Sequence, residues 1–207
     1  MGELTRQQKE AIAWVDVAAG LASAETGPVS FLIAAAASMA YYKDKVASEG
    51  WKAVRTDQPT LPSSSTNQGI LHNLTCEKYL TDGYDQVTYS KMVITAAQVR
   101  PDLTDPIHSI SEDYFNQKVQ QTLQENLVSA DDKLNVVLST VPLNDANRDA
   151  VLQSIVHIQN SNTDDEWKAN VQSAINMIPG FALSNNDKSI LTNAFEVLQH
   201  SYQLWSQ

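Results

Sequence analysis

The chain has 207 residues, 24 acidic against 14 basic, and a formal charge of −10 at pH 7. Its basic residues are scattered, which argues against nucleic acid or an anionic membrane surface as a partner, because phosphate recognition needs concentrated positive charge. A single cysteine excludes an intrachain disulfide and a thiolate metal cluster, and seven glycines with seven prolines are too few for a many-stranded β sandwich.

The first helix is predicted from Thr5 to about Ala24, where Ile12, Val15, Ala19 and Ala22 recur at three- and four-residue spacing. Gly27-Pro28 ends it, and Pro28 opens the next at a first-turn position where its missing N–H costs nothing. That second helix is expected to reach about Ser48, with Gly50 placed to stop it. Small residues four apart (Ala18/Ala22, Gly20/Ala24, Ala34/Ser38, Ala36/Ala40) predict a close approach of the two backbones. The apolar run from Val29 to Tyr42 is shorter than the ~18–20 residues of a membrane span, and Lys43, Asp44 and Lys45 follow it. Residues 1–50 therefore read as a tight helical hairpin buried in protein.

Trp51 to Gln68 carries no helical period and contains Pro59, Pro62 and Ser63-Ser64-Ser65-Thr66. Connections of this length tend to be functional or linker-like; Trp51, Val54 and Leu61 would pin it down as an ordered wrap. From Gly69 the period resumes in a short helix ending near Asp82-Gly83, then another from Tyr84 to Gln98 stopped by Pro101. Ser109 with Glu112 has capping-box spacing and is expected to open a helix through Asn126. Ser129 with Asp132 and Thr163 with Glu166 open two more, and Ser184 to Asp187 offers caps for a last helix to about Trp205. Residues 134–158 and 171–204 share one plan, helix, proline break, helix, which describes two stacked helical hairpins. The expected fold is all-α and a single domain: a close-packed N-terminal hairpin (1–50), a connection (51–68) and a bundle of about six further helices (69–207).

His72 and Cys76 stand four apart on a predicted helix, with Glu77 adjacent, so the pair has the spacing of two metal ligands or of a base and a nucleophile. No second local pair supplies further ligands, since His108, His157 and His200 are isolated. A thiol among Leu74, Tyr79 and Leu80 reads more simply as a core residue. The acidic clusters Asp131-Asp132 and Asp164-Asp165-Glu166 precede helix starts, where carboxylates cap free N–H groups. Phosphate-loop, nucleophile-elbow and His-Glu-x-x-His signatures are lacking from the sequence. No catalytic, cofactor-binding or metal residue is assigned. His72, Asn73, Trp51 and Cys76 are the candidate structural or binding positions. The His72-Asn73 pair is expected to clamp the 51–68 connection to the hairpin, the amide bonding loop backbone and the imidazole donating to a loop carbonyl.

Asp16-Val17-Ala18-Ala19-Gly20, the Gly27-Pro28 turn and Asn67-Gln68-Gly69-Ile70-Leu71-His72-Asn73 together resemble a poorly characterised group of small exported bacterial helical proteins. That group carries a bacteriocin-like Gly/Ala-rich hairpin followed by a Gly-x-x-His-Asn element, and the likeness covers about Ala11 to Leu80. It implies export and no catalytic residues, and it singles out His72 and Asn73. This chain uses mostly alanine in the hairpin, which weakens the membrane-inserting implication. Met1 to Arg6 leads straight into an amphipathic segment, so export would call for a leader that this sequence does not show. The expected function is a non-enzymatic interaction or structural protein, without cofactor, binding a protein partner through the 51–68 connection or a groove between helices. The alternatives are a membrane-active or immunity-type factor using the hairpin, and a metal-dependent enzyme built around His72.

Overall fold

Ten α-helices and no strand are found among the described residues, which are 4–46, 60 and 64–206 of the computed structural model. The expected helix end at Ser48 and the anchoring roles of Trp51, Val54 and Leu61 fall outside those residues. Helix α1 (Arg6–Ala22) starts at a capping box: the Thr5 hydroxyl accepts from the Gln8 amide, and the Gln8 side chain accepts from the Thr5 amide. A 3-10 stretch (Ala24–Val29) leads into α2 (Ser30–Tyr41), which continues through one wide turn at Tyr42–Val46. Gly27 has φ +63, a left-handed conformation that glycine adopts without strain, and there the chain bends by 110°. The two helices are closely packed, but they cross at an open elbow instead of running antiparallel.

Sequence periodicity assigns α1 one inner face; the structure buries it almost all round. Ile12, Val15 and Ala19 enter a core shared with α2, while Ala13, Trp14, Val17, Ala18 and Leu21 enter a second core on the other side. The first core is completed by α3 (Gln68–Thr81), α4 (Tyr89–Val99), α5 (Thr104–Ser109) and α6 (Glu112–Leu123). The second is built from α7 (Ala130–Leu138), α8 (Asp145–Gln159), α9 (Asp164–Met177) and α10 (Asn185–Leu204), each consecutive pair being neighbours. Trp167 stacks on Tyr202 at 3.9 Å between ring centroids and fixes α9 to α10. The most extensive contact of α1 is with α10, at the opposite end of the chain.

Two expected boundaries move. Ser109 closes α5, its hydroxyl turned back on the Pro106 carbonyl, and extended backbone at Ile110 breaks the chain there. Ser111 is the cap of α6 and accepts from the Tyr114 amide. The helix expected from Tyr84 starts at Tyr89, because Thr88 caps it. Ser129, Thr163 and Ser184 cap α7, α9 and α10 as expected. No single described helix is long and apolar enough to cross a membrane; α1 and α2 meet that composition only as a bent pair.

Helices α3 and α10 meet without a side chain between them at Gly69. A Cβ there would lie 2.5 Å from the Glu196 carbonyl oxygen and 2.6 Å from His200 Cδ2. Gly69→Ala is therefore expected to lower stability by about 1–3 kcal/mol through overpacking. Gly20→Ala, whose Cβ meets nothing within 4 Å, is expected to raise it by about 0.5–1 kcal/mol through helix propensity. Urea unfolding of the two variants checks the opposite signs.

Candidate functional site

An aspartate inside the apolar run Trp14-Val15-Asp16-Val17-Ala18 cannot face water when α1 is buried on both sides, so its charge needs partners. Three helices supply them. The Asp16 Oδ2 accepts from His72 Nε2 of α3 at 3.0 Å, from the Ser38 hydroxyl of α2 at 3.1 Å and from the Ser201 hydroxyl of α10. All four side chains, and Cys76 beside them, are 0% exposed. The other carboxylate oxygen, Oδ1, is buried with no hydrogen-bond partner among the described residues.

The protons can be placed from geometry. Asn73 Nδ2 donates to the His200 carbonyl at 2.7 Å, so its Oδ1, 2.9 Å from His72 Nδ1, is an acceptor. His72 therefore carries a proton on Nδ1 and points its other N–H at a carboxylate that already receives two hydroxyls. The pattern is that of an imidazolium–carboxylate pair. Burial works against the imidazolium, but the adjoining Cys76 sulfur and Asp16 carboxylate outweigh it and hold His72 well above its ordinary value. Burial also raises Asp16, opposed by His72, Ser201 and Ser38. Cys76 is pushed up by burial and remains a neutral thiol at pH 7, which leaves Asp16 as the lasting counter-ion. His200 is lowered by burial and by the positive charge of His72.

The sequence pair His72 and Cys76 does come together, with Sγ 3.6 Å from Nε2. Nucleophile activation needs a free imidazole lone pair, and here both ring nitrogens are engaged as donors while the thiol is sealed from solvent. Cohesion, not proton transfer, is what this cluster supplies. His72 and Asn73 were expected to hold the 51–68 connection; they instead tie α3 to α1 and α10. The end of that connection is held by a residue the sequence did not single out, Arg100, which donates to the Ser65 carbonyl at 2.6 Å while paired with Asp102. Trp51 lies outside the described residues. Asp16, Ser38 and Ser201 were also missed as site residues, although an acid in a run of Ala and Val is a readable sign of a buried charge. Among the described residues, no group of three or more His, Cys, Asp or Glu side chains is placed to hold a metal ion.

Directly beyond the cluster lies a groove of about 260 Å³. Gly20, Ala34, Gln68 and Val197 line it, and each is four residues, one helical turn, from Asp16, Ser38, His72 and Ser201 respectively. The same four helices thus form both the charged cluster and the groove. Gln68 joins the groove to the elbow: its Oε1 accepts from the Ser30 hydroxyl and the Phe31 amide, both at 3.0 Å, and its Nε2 donates to the Pro28 carbonyl. Val29, the residue before α2, has no side chain able to cap, so α3 caps α2 from outside. The chain matches no family model, no curated protein and no solved structure.

The raised value of His72 has a definite sign. Its stabilisation is complete below the unfolded value of 6.5 and is lost as pH rises through the higher folded value. Asp16, raised from 3.8, adds no loss on the acid side, since the folded state takes up that proton more readily than the unfolded chain. His200, being lowered, acts only as pH falls through its folded value. Urea unfolding from pH 6.5 towards the 9.0 of an ordinary thiol should show stability falling. His72→Gln should flatten that slope and, by leaving a buried carboxylate unpaired, cost about 3–5 kcal/mol at the lower pH.

Proposed function

We propose that the protein is a non-enzymatic binding protein that receives a protein partner in the groove between the α1–α2 elbow, the start of α3 and α10. One observation carries this reading: none of the sixteen described lining residues is charged, and the polar side chains of Thr66, Asn186, Ser189 and Asn193 make no hydrogen bond among the described residues. The surface of this chain is strongly acidic. A concave, uncharged patch within it, with apolar walls from Val17, Phe31 and Ile190, has the composition of a recognition site: apolar area with a few free polar groups. The buried ion pair one turn deeper supports binding by fixing the four walls, as recognition on a preformed surface avoids an ordering cost.

Photo-crosslinking tests the reading. A benzophenone amino acid placed at Ser189 in the groove is expected to yield a discrete protein adduct in source cells, and the same probe at the exposed Asp149 is not. Gly20→Leu should remove the adduct while keeping the fold, because that position is open to a side chain. An adduct unaffected by Gly20→Leu, or one formed equally from Asp149, would overturn the groove as the binding face.

A further inference from the structure

The groove's chemistry is narrower than "apolar", and this step rests on the groove being the binding face. Its lining includes Gly20, Ala24, Ala34 and Ala194, where little side-chain bulk stands between an occupant and the helix backbones. On α10 the lining includes a row, Asn186, Ser189 and Asn193, at intervals of three and four residues. These side chains face one direction along the helix. At about 1.5 Å rise per residue, the row is about 10 Å long. That is the span of three residues of extended chain at about 3.3 Å each.

A primary amide carries one carbonyl acceptor and two N–H donors, which match the carbonyl and N–H of a peptide bond, and a hydroxyl can do either. With no cation or carboxylate among the described lining residues, a charged occupant would surrender its hydration without receiving a counter-charge from them. We infer that the groove recognises an extended, uncharged segment of polypeptide main chain, about three residues long with small side chains, held along the Asn186–Ser189–Asn193 row. A charged chain terminus is excluded by the same argument, so the segment is internal to the partner. Thr66, also in the lining, offers one further free hydroxyl.

Titration of the isotope-labelled full chain with four peptides, followed by NMR, decides the matter. The peptides are N-acetyl trialanine amide, unblocked trialanine, and blocked peptides with lysine or aspartate at the centre. The blocked trialanine should shift the amide resonances of Gly20, Ala24, Ser189 and Asn193 saturably, and each charged peptide should bind roughly tenfold or more weakly. Gly20→Leu should abolish the shifts. Equal or tighter binding of any charged peptide would overturn the inference, as would blocked trialanine leaving the groove resonances unmoved. If the photo-crosslink at Ser189 survives in that case, the groove remains the binding face and only the assigned segment is wrong; loss of both removes both readings.

Discussion

The contact between Asp16 and His72 sets the terms for the rest of the molecule. Burying a carboxylate is costly, and a buried ion pair is often no more stabilising than the apolar residues that would replace it. What it supplies is exclusivity. Asp16, Ser38, His72 and Ser201 come from four helices, and only one rotation and register of those helices brings all their polar atoms to a single oxygen. An alternative packing of so many small residues would leave a charge in the interior. Positions 16 and 201 are also nearly at opposite ends of the chain, so the full set of hydrogen bonds on the Asp16 carboxylate needs the first and last helices together. Helix α1 contributes to both cores, and the cluster ties it to α2, α3 and α10.

Alanine and glycine make that arrangement possible. Helix α2 carries four consecutive fully buried alanines, Ala34 to Ala37, which give neither bulk nor rotamer preference to fix its rotation. Polar contacts fix it together with the buried Phe31, Leu32, Ile33 and Met39, Ser38 being held to Asp16 at one end and Gln68 to the Ser30 hydroxyl and Phe31 amide at the other. Gly69 lets α3 lie against α10 so closely that a methyl group cannot fit. The groove follows from the same economy of side chains. Where small residues line helices that also diverge at the elbow, space remains between them.

Much of the architecture was legible in the sequence and most of the site was not, for one physical reason. Helix existence is local: the caps at Ser129, Thr163 and Ser184 and the Gly27-Pro28 break can be read from a few adjacent residues. Boundaries failed where two caps competed, as at Ser109 and Ser111, because the choice depends on how Ile110 is turned. The four-residue spacing of His72 and Cys76 correctly placed both on one helix face. It could not show that Asp16, 56 positions earlier, would stand against that face and turn a possible nucleophile pair into an ion-pair anchor. Nor does any local pattern announce that Gln68 caps a different helix. Partners across the fold depend on helix rotation, which an alanine-rich stripe leaves almost unspecified.

On the proposed reading, the cluster and the groove are parts of one binding device. A reactive centre would need its nucleophile and base open to substrate, with at least one of them able to change protonation state at working pH. Here Asp16, His72 and Cys76 are at 0% exposure, and the described residues lining the groove one turn above them are all neutral. The division has an electrostatic consequence. A net charge of −10 keeps copies of this chain apart and repels acidic partners at long range, so affinity has to be generated where no charge must be stripped of water. In the proposed function an uncharged groove would meet that condition, its free amides and hydroxyls selecting by hydrogen-bond geometry.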